Sequence, residues 1–244
     1  AALNACAVPA DEAFAAATPS VGERGFVEDE QQAVLRYRKA AEQGDAAAQA
    51  NLGWAYMNGR GVAQDDKQAV FWYRKAAEQG DATAQANLGG LYLDRRGGAE
   101  DDEQAFFWSL KAAEQGDAIA QANLGAMCSH GCGVARDDKQ AFFWYSRAAE
   151  QGDAAAQLQL GVMCAEGRGA AQDEAQAALW YRKAAAQGIV PAQVRLGWAY
   201  LKGRAVAQDD KQAVFWCRKA AEQGDAAAQA NLGGLYLDRR GGAE

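Results

Sequence analysis

The residues able to do chemistry are few in this chain, and one short stretch holds most of them: Cys128-Ser129-His130-Gly131-Cys132. Two thiols flanking the single histidine are soft donors of the kind that hold zinc, but zinc wants a fourth ligand and wider ligand spacing. Drift within a repeat loop explains the cluster without a metal. A Ser-His-Asp relay would have to be built on His130 alone. Serine occurs only at Ser20, Ser109, Ser129 and Ser146, none with lysine three positions on, and no Gly-x-Ser-x-Gly turn is present. The recurrent carboxylates Glu78, Glu114, Glu150 and Glu222, and the Asp65-Asp66 pair, fit capping and solvation at helix ends. Gly59-Arg60-Gly61 follows a helical pattern instead of a strand, so it reads as a turn and not as a phosphate cradle. No catalytic residue, metal or cofactor is expected.

What positions these residues is a period of 36: Asp45 to Gly80 is echoed by 81–116, 117–152, 153–188 and 189–224. Self-similarity at that period marks a solenoid, in which each unit buries its apolar face against its neighbours. Within one unit Asp45 is placed to cap a first helix, on which Ala48, Leu52, Ala55, Tyr56 and Gly59 share a face. Gly53 lets a neighbouring element come close, and Gly59-Arg60-Gly61 ends the helix. Asp65 opens a second helix with Gln68 at capping-box spacing, and Ala69, Trp72, Tyr73, Ala76 and Ala77 form its apolar stripe. Trp72, Trp108, Trp144, Trp180 and Trp216 recur in one slot as the main space fillers. The stretch 29–44 reads as a lone second helix with Arg36 in the tryptophan slot, and 225–244 as a lone first helix. The solenoid is thus expected over 29–244, and residues 1–28 as a lead-in that is partly irregular or processed; Leu3-Asn4-Ala5-Cys6 faintly resembles a lipoprotein processing site.

With 25 basic and 32 acidic residues interspersed, net charge -7, the chain offers no basic stripe for a phosphate backbone, so nucleic acid is not an expected partner. No apolar run reaches the roughly eighteen residues of a spanning helix. Five cysteines stand at 6, 128, 132, 164 and 217; Cys128 and Cys164 take the slot of Tyr56 and Cys217 that of Tyr73, which suits buried thiols and not a disulfide framework.

The order Ala48, Leu52-Gly53, Tyr56, Gly59-Arg60-Gly61-Val62, Asp65, Ala69, Trp72-Tyr73, Lys75-Ala76-Ala77 and Gly80 resembles the Sel-1-like repeat, a relative of the tetratricopeptide repeat, over about 29–244. The resemblance implies an all-α, right-handed solenoid of antiparallel helix pairs with a concave groove, and adaptor or scaffold work in bacterial signalling, envelope or host-interaction settings. A secreted branch of that family staples each repeat with cysteines eight residues apart and is linked to penicillin binding. The corresponding slots here are Ala77 and Gln85, Ala113 and Gln121, Ala149 and Gln157, so that branch's staple is missing.

Partner-binding positions in a solenoid are those that vary on a fixed framework. On the first helices they are Asn51, Asn87, Asn123, Gln159, Arg195 and Asn231; then Trp54 and Trp198; then Asn58, Asp94, His130, Glu166 and Lys202. Offsets of three, four and seven put them on one side, which the resemblance places in the groove. Amides suit the main chain of a bound segment and the tryptophans suit apolar anchors. Trp54 and Trp198 also fit core packing, because each is followed by alanine where Gly90 and Gly234 are followed by leucine. The leading expectation is a non-enzymatic scaffold that grips a peptide or protein segment, periplasmic or secreted, with a cytoplasmic setting as the alternative. A secreted hydrolase or penicillin-binding protein, and a purely structural spacer, are the competing functions.

Two comparisons between repeats sharpen these expectations. Residues 51–100 and 195–244 differ at six of fifty positions, among them Asn51 to Arg195, Asn58 to Lys202 and Tyr73 to Cys217, which marks a recent duplication. Ile189 replaces a capping aspartate ahead of Pro191, which predicts faster amide exchange over 188–192 than over 116–120. Arg95 and Arg239 occupy a glycine slot at a helix end.

Overall fold

The computed structural model describes residues 29–96 and 101–237, and the lead-in 1–28 and Arg239 lie outside them. The described residues hold twelve helices and no strand. They fall into two compact units. The first, ending at Asp137, contains α1 (Asp29–Glu42), α2 (Ala46–Asn58), α3 (Asp66–Glu78), α4 (Ala82–Leu93), α5 (Asp102–Glu114) and α6 (Ala118–His130). The second contains α7 (Asp138–Glu150), α8 (Ala154–Glu166), α9 (Glu174–Ala186), α10 (Val190–Lys202), α11 (Asp210–Glu222) and α12 (Ala226–Leu237). Each unit is an all-α solenoid in which every helix packs on the next.

The helices form where the capping aspartates predict. Asp45, Asp81 and Asp117 each accept the amide of the residue three ahead at 2.7 Å, and Asp153 does the same in the second unit. At the second helices Asp65, Asp101, Asp173 and Asp209 also cap. The capping box is only half realised there, because the aspartate's own amide is already committed. Asp65 N–H donates to the Tyr56 carbonyl at 2.9 Å, and Asp173 and Asp209 donate likewise to Cys164 and Tyr200. A backbone clasp therefore closes these three hairpins, and the return arm of Gln68 is not needed.

Pairs run antiparallel, since the start of one helix meets the end of its partner: Gln49 Oε1 accepts from Gln79 Nε2 at 2.7 Å, while Gly53 faces the Tyr73 ring. A Cβ at Gly53 would stand 2.9 Å from that ring, so the close approach expected of this glycine is made by an aromatic side chain. Leu52, Ala69, Tyr73, Ala76 and Ala77 are buried, with Trp72, Trp108 and Trp144 close behind them. Ahead of Trp72, Trp108 and Trp144 a phenylalanine stays about half exposed and meets the indole edge-on, as in Phe71 with Trp72. Arg36, in the first tryptophan slot, is exposed. Arg95 has φ 55, so the glycine slot it occupies is left-handed.

At α10 the cap residue Ile189 makes no side-chain hydrogen bond and proline sits in the first turn. The Ala192 amide is therefore expected to exchange about fivefold faster than those of Ala120 and Ala156, the factor that ~1 kcal/mol of lost capping implies. Hydrogen exchange followed by NMR checks this, and equal protection at the three amides would refute it.

Candidate functional site

The candidate positions sit on the first helix of each pair and divide between the units. In the first, α2 carries Asn51, Trp54 and Asn58, α4 carries Asn87 with Asp94 as its C-cap, and α6 carries Asn123 and His130. Asn51 and Trp54 are half-buried, and Asn58, Asp94 and His130 are exposed. Asn87 and Asn123 are the exception, at 3% and 4% exposure. Asn87 Nδ2 donates to the Thr83 carbonyl at 2.9 Å, which fixes its Oδ1 on the other side. That oxygen and Asn123 Oδ1 are buried without a hydrogen-bond partner. An unpaired buried carbonyl costs ~1–3 kcal/mol, so two in equivalent places, one repeat apart, are a feature of the design.

The polar tips one turn on are tied back to their own helix. Asn58 Nδ2 donates to the Trp54 carbonyl and His130 Nδ1 lies 2.9 Å from the Ala126 carbonyl, the proton on Nδ1. Leu91, beside Gly90, is buried, whereas a Cβ built on Gly90 meets nothing within 4 Å. The slot of Trp54 thus opens outward on α4, while the residue after it faces the core.

In the second unit Gln159, Glu166 and Asn231 lie on α8 and α12, and Arg195, Trp198 and Lys202 come together on α10. Trp198 is 42% exposed, and Lys202 Nζ sits 5.4 Å from its ring centroid. Arg195 stacks its guanidinium 5.7 Å from the Tyr181 ring. These three line an open cavity of about 760 Å³ together with Glu174, Arg204 and Ala205. Those last three were not singled out from the sequence. The substitution of Gly61 by Ala205, one of six between the near-identical stretches, was the available sign.

Among the described residues Cys128, Cys132, Cys164 and Cys217 are buried, and burial pushes the Cys128 thiol up to about 11. At neutral pH it stays protonated.

The Sel1 repeat model matches residues 22–45, 46–81, 82–117, 118–153, 154–189 and 190–225. The chain belongs to the Sel1 repeat family. Sel1 repeat proteins are generally protein-interaction scaffolds, and the match indicates no catalytic family. The chain is similar to a protective antigen of uropathogenic Escherichia coli with an SLR fold, at 42% identity and a TM-score of 0.85 over 88% of this chain. It spans 46% of that antigen's length. A Sel1 repeat protein from Oxalobacter formigenes is 33% identical, covering 88% of this chain and 91% of its own, with a TM-score of 0.73. No curated protein matches. Among the described residues of this Sel1 chain no helix is long and apolar enough to cross a membrane.

Proposed function

We propose that this protein is a non-enzymatic scaffold that holds an extended segment of another protein along the first-helix face of its repeats. The observation that carries this reading is the pair Asn87 and Asn123, whose buried Oδ1 atoms lack donors at equivalent positions of successive first helices. Main-chain N–H groups of an extended segment are donors of the right kind for both once the side chains that cover these oxygens move aside, and such a bond is worth most where water is excluded. Asn51, in the same slot on α2, extends the row. The antigen and the Oxalobacter protein share the repeat, and the family's general role as interaction scaffolds favours the same reading here. Buried thiols with Cys128 held protonated, and serines that lack a lysine partner, argue against the hydrolase alternative.

The test uses peptides selected against the intact chain from a random displayed library. The double variant Asn87→Ala with Asn123→Ala is expected to bind them at least tenfold more weakly, by calorimetry, while melting no lower than the parent, because two unpaired oxygens have been removed. Unchanged peptide affinity would refute the assignment, and a lower melting temperature would show the asparagines to be structural.

A further inference from the structure

Two residues past the helix-ending glycines Gly59, Gly131 and Gly167 stands a second glycine, for a visible reason. A Cβ at Gly61 would lie 2.5 Å from the Glu30 carbonyl oxygen, at Gly133 1.9 Å from that of Asp102, and at Gly169 2.1 Å from that of Asp138. The loop is pressed onto the N-terminus of the preceding second helix. Where arginine fills the slot before that glycine position it pairs with the same helix: Arg60 with Glu30, Arg96 with Asp66 at 2.6 Å and Arg168 with Asp138 at 2.7 Å. At Gly203-Arg204-Ala205 the methyl is present, at φ 60. A methyl there has no room against a Glu174 carbonyl placed as its counterparts are in the other repeats. Glu174 and Ala205 instead face the same cavity. Among the described residues Arg204 is in no ion pair, unlike its three counterparts.

The cavity collects Arg195, Lys202 and Arg204 against the single carboxylate of Glu174, with the exposed Trp198 on the same lining. This local cationic excess stands in a chain whose net charge is -7. Three of the six differences between 51–100 and 195–244, those at 195, 202 and 205, fall on its lining. In a stretch otherwise copied almost unchanged, two of these add a cation and the third removes the glycine that would close the loop.

We infer that this cavity is a binding site for an apolar or aromatic side chain flanked by carboxylates, supplied by an acidic segment of a partner protein. Arginine offers a planar fork of donors to a carboxylate and lysine a point charge, while the indole face takes the apolar group. The assignment of the occupant to a protein segment rests on the scaffold reading above; the cavity and its charge do not.

The test follows the Trp198 indole N–H by NMR, its resonance identified by its loss in Trp198→Phe. The first probe is a blocked peptide with phenylalanine between two aspartates, the second its asparagine counterpart, the third 3-phenylpropanoate. The aspartate peptide is expected to shift the resonance with at least tenfold higher affinity than the asparagine peptide. Arg204→Met should weaken it at least fivefold, and Ala205→Gly, which lets the loop seat on α9, should abolish it. Equal binding of the two peptides, or no binding of either, would overturn the inference. Tighter binding of 3-phenylpropanoate than of the peptide would overturn the protein source. Asn87→Ala with Asn123→Ala is expected to leave this titration unchanged, so failure of the amide row and failure of this cavity are read separately.

Discussion

Replacing Gly133 by alanine is expected to destabilise the first unit by about 2–4 kcal/mol, the largest effect of any single methyl addition in the described repeats. Two independent costs add. At φ 67 an L side chain pays ~1–2 kcal/mol for the left-handed region. Its Cβ would also lie 1.9 Å from the Asp102 carbonyl oxygen, which is backbone and cannot rotate away. Either the loop lifts or the first turn of α5 shifts, and in the second case the Asp101 to Gln104 capping bond of 2.9 Å is lost, at ~1 kcal/mol. Gly116→Ala separates the two, because Gly116 has φ 97 but nothing within 4 Å of its would-be Cβ. It should cost only the conformational part, ~1–2 kcal/mol. Urea unfolding measures both variants. Equal destabilisation would mean that the contact relaxes freely, and with it would fall the account of why the loop at Ala205 stands open.

Much of this architecture is legible in the sequence because each local rule repeats. Asp45, Asp81, Asp117 and Asp153 cap as their position demands, and Ala48, Leu52 and Ala55 are buried at the helical spacing that selects them. Less legible is anything decided by contact across helices. Asn87 and Asn123 share a slot with the half-buried Asn51, and only packing reveals that they are sealed in while their Oδ1 atoms go unpaired. A second relation could have been read and was hidden by its length. Arg38, Arg74, Arg182 and Arg218 each donate to the tyrosine hydroxyl eighteen residues on, at Tyr56, Tyr92, Tyr200 and Tyr236. Where that tyrosine becomes Cys128 or Cys164, the arginine slot holds Leu110 or Ser146. The cysteines are thus half of a paired replacement, since an arginine without its acceptor gains nothing from the position. Ala205 was missed for a similar reason: alanine for glycine is a small change in composition, and its consequence lies in a carbonyl thirty-one residues earlier.

The corner that the cysteine-rich branch of the family closes with a disulfide is closed here by a buried amide, and Gln85 gives the second large effect. Gln85 is 4% exposed; its Nε2 donates to the Ala77 carbonyl at 3.0 Å and its Oε1 accepts from Gln115 Nε2 at 2.8 Å. The same pair of bonds recurs at Gln49 and, in the second unit, at Gln157 and Gln193. Gln85→Leu keeps the volume but removes both amide bonds, leaving the Ala77 carbonyl with only its turn bond from the Gly80 amide, and is expected to cost ~1–3 kcal/mol. Gln85→Glu separates charge from shape. Protonated, its O–H can donate to Ala77 while the other oxygen accepts from Gln115, so both bonds survive. Ionised, it faces a carbonyl oxygen in a buried site, so its folded pKa rises above the ordinary ~4.3 of glutamate. A group whose folded pKa is raised stabilises below its unfolded pKa and loses that contribution as pH climbs through the folded value. The variant should therefore melt close to the parent at pH 4 and fall progressively behind it towards pH 7, by ~1.4 kcal/mol for each unit by which the pKa is raised. Thermal unfolding across that range decides it: a gap independent of pH would mean that water reaches the amide, and that this corner is held by packing instead of by the hydrogen bonds.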